Sequence, residues 1–200
     1  MIGPEKESAD YQVALPCACL LHTYRFKIAD ATRRKSAEFR ALNPLGQIPV
    51  LRDGDVLLAD SNAIMVYLVK RYAPTSDWLP DDPVTAAAVH HCLSIASGEV
   101  RYSPAMARGA LQWNMPGDPA LAAEIAGRLL GFVEQHLSDR NWLAASHITL
   151  ADLACYSYVA HAPKGGIPLE AYPCVRRWLA RVEAQPWFKP MPASPLPGDA

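Results

Sequence analysis

GQIPVLRDGDVLLADSNAIMVYL, residues 46–68, is the stretch whose reading decides the fold. Ile48, Val50 and Leu51 read as a short buried strand, yet Pro49 sits inside it with no backbone N–H to give to a sheet. Val56 to Leu58 form another apolar run, and Asp53-Gly54-Asp55 between the two is a hairpin signal. Asp60-Ser61-Asn62 then supplies helix-capping residues. The helix expected from Ala63 to Tyr72 carries Ile64, Met65, Val66, Tyr67, Leu68 and Val69 with hardly a polar face, so it is covered on more than one side.

Working outward from this stretch, Tyr24, Phe26 and Ile28 alternate with Arg25 and Lys27, which reads as a strand with one buried face. Val13 to Leu21 reads as a helix whose first turn must hold Pro16. Residues 1–75 therefore form an α/β unit with few strands. Residues 76–83 read as a linker, within the Pro- and Asp-rich run APTSDWLPDDP. Beyond it the pattern is helical: Val84 to Arg108, which Pro104 should bend or end, then Pro119 to His136, Leu150 to Ala160 and Val175 to Ala184. Residues 84–190 are thus an all-α domain, and residues 191–200, rich in proline, a loose tail.

Composition narrows the function. The chain has 200 residues, half of them apolar and a fifth charged, and a net charge of -1, which gives no broad field for nucleic acid or an anionic membrane. The longest apolar run, Val13 to Leu21, is too short to span a bilayer, and the acidic MIGPEKESAD start is unlike a signal peptide. Five cysteines at irregular spacing without a CxxC fit neither a disulfide framework nor a zinc site, so a reduced, cytoplasmic protein without a metal is expected.

Several residues carry possible chemistry. Pro49 reads either as a cis proline that frees the Ile48 N–H and C=O for an extended peptide, or as a trans proline on an edge strand. The Ser61 hydroxyl with the helix N-terminal amides suits a carboxylate, and Asp60 suits an ammonium; plain capping is the alternative. Lys35 upstream would suit a second carboxylate, or is a surface lysine. Cys17 and Cys19 point about 200° apart on a helix and read as core residues. His90-His91 diverge too far to share a metal, while Asp118, Glu124 and Glu134 read as a solvated face.

EFRALNPLGQIPVLRDGDVLLADSNAIMVYLVKRYAP, residues 38–74, closely resembles the thioredoxin-like domain of the glutathione S-transferases. SHITLADLACYSYV, residues 146–159, resembles the family's buried helix start, where Thr149 and Asp152 make a variant capping box stapled by Ile148 and Leu153. YPCVRRWLARVEAQPWF, residues 172–188, resembles its closing helices. The resemblance implies a thioredoxin-like N-terminal domain, its first strand short or missing, plus an all-α C-terminal domain.

It also implies glutathione as co-substrate, with Pro49 as the family's cis proline. Ile48 would pair with the cysteinyl unit, Ser61 would take the γ-glutamyl carboxylate and Asp60 its amino group, while Lys35 would meet the glycyl carboxylate with help from Gln47. The family's catalytic hydroxyl or thiol precedes the first helix. Ungapped alignment puts Glu7 there, and a one-residue shift brings Ser8, with Tyr11 the runner-up. Tyr102, Met106 and Trp113 fall where the family lines its electrophile pocket; helix packing is the plainer reading of each.

The expected activity is conjugation of glutathione thiolate to a small hydrophobic electrophile, as in detoxification, in a homodimer. A non-catalytic glutathione transferase-fold binding protein and a glutathione-dependent thiol reductase are the alternatives.

Overall fold

The computed structural model describes residue 25 and residues 27–191, and the chain divides into two compact units, Met1–Ser76 and Asp77–Ala200. The first unit begins, among the described residues, with two short helices, α1 (Ala31–Lys35) and α2 (Ala37–Leu42). Asp30 Oδ1 caps α1 by accepting from the Arg33 N–H at 2.7 Å. Ser36 serves both helices: its hydroxyl donates to the Arg33 carbonyl at 2.8 Å and accepts from the Phe39 N–H at 3.1 Å. Strands β1 (Val50–Asp53) and β2 (Val56–Ala59) form an antiparallel hairpin, with Val50 opposite Ala59 and Asp53 opposite Val56. Helix α3 (Ser61–Tyr72) packs Ile64 and Leu68 against Leu51 and Leu58 of the hairpin.

Two strand expectations change. The ladder begins at Val50, not Ile48, because Pro49 has no N–H to contribute to it. Arg25 and Lys27 to Asp30 run as irregular chain: Ile28 is exposed, and Asp30 is committed to the α1 cap. Tyr24, Phe26 and the helix expected at Val13 to Leu21 lie outside the described residues.

The second unit is helical. Residues 77–82, expected as linker, pack with it: the Trp78 carbonyl accepts from Leu150 N–H at 3.0 Å, and the Trp78 ring meets Trp187 edge-on. Asp82 then caps α4 (Pro83–Ile95). The helix does not end at Pro104, one of the two outcomes expected there. The chain continues as a π-helical segment, Ala96–Ala105, into α5 (Met106–Trp113). In i→i+5 bonding the Glu99 carbonyl would await the N–H that Pro104 lacks, and the Ser103 hydroxyl fills the gap by donating to Glu99 at 2.6 Å.

Asp118 caps α6 (Pro119–His136) through the Ala120 and Leu121 amides. Helix α7 (Leu150–Val159) runs through the centre of this unit, buried from Leu150 to Ser157. A 3₁₀ turn (Ala162–Gly165) and α8 (Pro173–Glu183) complete it.

Two acidic residues expected on a solvated face have structural duties. Asp118 is the cap just described, and Glu134 reaches from α6 to accept from Cys174 N–H and Val175 N–H at 2.9–3.0 Å, capping α8 from outside. Those backbone bonds hold the Glu134 carboxyl below its ordinary range against the opposing pull of burial. The tail expectation also changes at its first residue, since Met191 is buried; residues 192–200 lie outside the described residues.

Candidate functional site

The hairpin register sets the site. Val50 faces Ala59 at the last pair of the ladder, so Pro49 and Asp60 are the residues that adjoin that pair on the two strands. The Ile48–Pro49 peptide bond is cis, Pro49 is buried, and neither backbone group of Ile48 is bonded to another described residue.

The loop before it is held by Asn43, only 6% exposed. Its Nδ2 donates to the Gln47 carbonyl at 2.8 Å, and its Oδ1 accepts from the Leu45 N–H at 3.1 Å. Gly46 lies in the left-handed region at φ +65°, and a Cβ there would stand 3.0 Å from the Arg34 carbonyl oxygen. That close approach fixes the end of α1, which carries exposed Lys35, beside exposed Gln47.

Asp60 is the N-cap of α3 and has φ +78°, a rare conformation for a residue with a side chain. Its Oδ1 accepts from the Asn62 and Ala63 amides at 2.9 and 3.0 Å, and its carbonyl accepts from Ile64 at 3.0 Å. The expectation that several helix amides await a ligand is therefore corrected. Asp60 occupies those of residues 62 and 63, which leaves the Ser61 amide and the half-buried Ser61 hydroxyl at the helix start.

The other end of the hairpin is anchored by Asp53, whose Oδ2 accepts from the Tyr67 hydroxyl at 2.9 Å and from the Tyr72 hydroxyl. These bonds to a carboxylate push both phenols above their ordinary value. They tie β1 to α3.

The family model for the N-terminal domain of glutathione S-transferases matches residues 20–71, and that for the C-terminal domain matches residues 119–186. Glutathione S-transferase 3 of Zea mays is 34% identical over 175 residues, covering 82% of this chain and 78% of that protein. The chain belongs to the glutathione S-transferase family. The crystal structure of a possible glutathione S-transferase from Rhodopseudomonas palustris matches with a TM-score of 0.85 at 28% identity, over 97% of this chain and 90% of that one. A glutathione transferase homologue from Drosophila mojavensis, crystallised with bound glutathione, matches with a TM-score of 0.81 at 27% identity, over 90% of this chain and 84% of that one. The chain spans 65% and 66% of the length of the mouse theta-3 and human theta-2 relatives it matches. The fold is thus the transferase pair, a thioredoxin-like domain with a small two-strand sheet and a helical C-terminal domain.

In this transferase fold Lys35, Gln47, Ile48, Pro49, Asp60 and Ser61 all lie in the first unit, around the N-terminal end of the hairpin and the start of α3. Ser8 and Tyr11 lie outside the described residues. Tyr102 is exposed on the π-helical segment, Met106 opens α5, and Trp113 closes it with its ring 5.1 Å from the Arg108 guanidinium carbon.

The side-chain roles of Asn43, Tyr67, Tyr72 and Arg108 went unread in the sequence. Only Asn43 had a local signal, the Asn-Pro pair that marks a turn.

Among the described residues no three His, Cys, Asp or Glu side chains group as metal ligands, and no helix is long and apolar enough to cross a membrane. A cavity of about 180 Å³ in the helical unit is lined by Cys92, Cys155, His91, Phe132 and His136. Burial pushes the Cys92 thiol up to about 12 and raises Cys155 as well, so neither supplies a thiolate at neutral pH.

Proposed function

We propose that this chain binds glutathione at residues 35–61 and conjugates its thiolate to a small hydrophobic electrophile. The observation that carries the reading is that Ile48–Pro49 and the Asp60 cap, at φ +78°, both adjoin the Val50–Ala59 end of the hairpin.

An extended tripeptide lies along Ile48, whose N–H and C=O pair with the cysteinyl unit as a short added strand. The γ-glutamyl carboxylate takes the Ser61 amide and hydroxyl. The ammonium of that same residue faces Asp60, whose Oδ2 is not used by the helix cap. Lys35 meets the glycyl carboxylate, and Gln47 assists it.

In this reading Ser8 donates a hydrogen bond to the cysteinyl sulfur, with Tyr11 as the alternative donor. Such a bond favours thiolate over thiol, whose ordinary pKa is about 8.5. The thiolate forms a C–S bond with the electrophilic carbon, the leaving group departs with its electron pair, and the thiol proton goes to solvent. Tyr102, Met106 and Trp113 line the apolar side of the pocket. Residues 1–75 form the glutathione domain and 84–190 the helical domain, in a cytoplasmic homodimer that serves detoxification.

Calorimetric titration with glutathione tests the binding step. Wild type is expected to bind in the millimolar range or tighter, and Ser61→Ala to lose about tenfold, the worth of one charge-assisted bond. No heat at millimolar glutathione overturns the reading. Turnover of a generic aryl halide tests the chemistry. Binding without turnover identifies a non-conjugating binding protein, and turnover unchanged in Ser8→Ala removes Ser8 from the catalytic role.

A further inference from the structure

The cavity of about 180 Å³ in the helical unit plays no part in the glutathione reading. Helices α4, α6 and α7 and the segment 140–144 wall it. Its buried end carries two thiols, Cys92 of α4 and Cys155 of α7. One side carries three aromatic rings in succession. The His91 and Phe132 centroids lie 6.4 Å apart, and those of Phe132 and His136 5.6 Å apart. Phe132 is 44% exposed, so this row of rings stands where the cavity meets solvent.

The cavity offers an entering molecule few polar partners. The Cys155 thiol is engaged by the Cys92 carbonyl, to which it donates at 3.6 Å, and His136 Nε2 pairs with the Leu143 carbonyl at 2.8 Å. Arg140 is exposed at the rim, its Nη1 3.5 Å from His136 Nδ1, so its charge stays in solvent. Burial keeps both thiols neutral at pH 7. Ala88, Val133 and Ala144 add only apolar surface. A buried water needs two to four hydrogen-bonding partners, which this wall does not supply. A dry apolar cavity of about 150 Å³ is already large enough to hold one benzene ring.

We infer that this cavity binds a small neutral aromatic molecule, a single ring bearing no more than a methyl group or a halogen, seated between Phe132 and the two sulfurs. The volume sets the size of the ring. Polarizable sulfur and the neighbouring rings favour an aromatic ligand over a saturated one. A hydroxyl or a charge on the ligand would be buried without a partner, which excludes polar rings. None of Tyr102, Met106 and Trp113 lines this cavity, so it is a second site, distinct from the proposed electrophile pocket. The inference goes beyond the glutathione reading and does not rest on it.

The test is calorimetry on the full chain at pH 7.5, without glutathione, with toluene and phenol as probes. Toluene is expected to bind with a Kd of about 0.1–1 mM, and phenol about tenfold more weakly because its hydroxyl finds no partner. Ala88→Leu adds three carbons to the wall and should weaken toluene at least about tenfold. Phe132→Ala removes the ring at the mouth and should weaken it severalfold. Phe132 is part-exposed, so this second variant keeps its fold and the test stands even where the leucine variant does not. Tyr102→Ala, in the proposed electrophile pocket, should leave toluene affinity unchanged. No toluene binding at millimolar concentration, phenol bound as tightly as toluene, or toluene affinity unchanged in Phe132→Ala would overturn the inference. So would toluene binding that survives in Ala88→Leu and falls in Tyr102→Ala, since the ligand would then sit in the electrophile pocket.

Discussion

Asp152 joins Leu143, Thr149 and Trp178 in the helical unit, and Asp152→Asn tests that role with the smallest change of shape. The carboxylate is fully buried and receives four hydrogen bonds. Oδ1 accepts from Leu143 N–H at 3.0 Å and from the Trp178 indole N–H at 2.9 Å, while Oδ2 accepts from Thr149 N–H at 2.9 Å and Thr149 Oγ1 at 3.3 Å. Burial raises its pKa from the ordinary carboxylate value, and these bonds pull it back. An asparagine keeps two acceptor bonds through its oxygen and turns an NH2 toward the other two donors. The better orientation faces that NH2 to Thr149, because the hydroxyl can rotate and accept.

One buried amide, Thr149 N–H, is then orphaned, at about 1–3 kcal/mol, and the two surviving bonds each lose about 1 kcal/mol of charge assistance. Relief from burying a carboxylate offsets part of this, leaving a net loss of about 2–4 kcal/mol. For a chain of this size that is a fall in melting temperature of about 5–15 °C. Urea unfolding followed by circular dichroism at pH 7 measures it. A loss under about 1 kcal/mol with native spectra would show that the four bonds do not hold the unit together. Asp152→Ala, which orphans all four donors, must cost more than the asparagine variant, and the reverse order would refute the same reasoning.

Three further outcomes follow from the same geometry. Asn43→Ala removes both bonds that hold the Gln47 loop, so about 1–3 kcal/mol of stability and about tenfold in glutathione affinity should be lost together; a stability loss with unchanged affinity would remove Asn43 as a positioning residue. Asp60→Asn keeps the cap and tolerates the positive φ, so melting should move little while glutathione affinity falls severalfold through the lost charge; a large melting shift with full affinity would make Asp60 a cap alone. His161 is lowered from 6.5 to about 3 by burial first and by Lys164 and Arg108 second, so the unfolded chain takes up its proton before the folded one. Its stabilising share is present above pH 6.5 and lost as pH falls toward 3; between pH 7.5 and 5 wild type should lose about 1–2 kcal/mol that His161→Gln keeps, and parallel urea midpoints across that range would refute the shift.

What could be read from the sequence was what local chemistry decides. The bounds of Pro119–His136 followed from Asp118-Pro119, a capping residue with a proline at the first helical position, and the structure has those bounds. The Thr149–Asp152 capping box was legible for the same reason. That helical chain runs on past Pro104 was not legible, because nothing in the residue order announced a π-helical segment in which the Ser103 hydroxyl meets the Glu99 carbonyl. Glu134 was misread because its partners lie about 40 residues away, across a helix pair. Arg108 reads in sequence as one more cation on a helix; only the packing of the turn Ala162–Gly165 and of Met191 around it makes it a buried charge.

Asp60 shows why the start of α3 was easier to read than its surroundings. A positive φ at a residue with a side chain is a conformation that costs about 1–3 kcal/mol and persists only where the neighbourhood enforces it. Glycine at this position would remove that cost and lose the cap on Asn62 and Ala63. Serine or threonine would keep a cap and lose the second carboxylate oxygen. Aspartate alone among the good caps tolerates the backbone, closes two amides with one oxygen and leaves the other for a cation. Because the cap takes the amides of residues 62 and 63, what stays open at the helix start is the Ser61 amide and hydroxyl, one anion-binding point beside one anionic oxygen. The zwitterionic end of an amino acid carries the complementary pair of charges, and one residue type, in one strained conformation, shapes both halves.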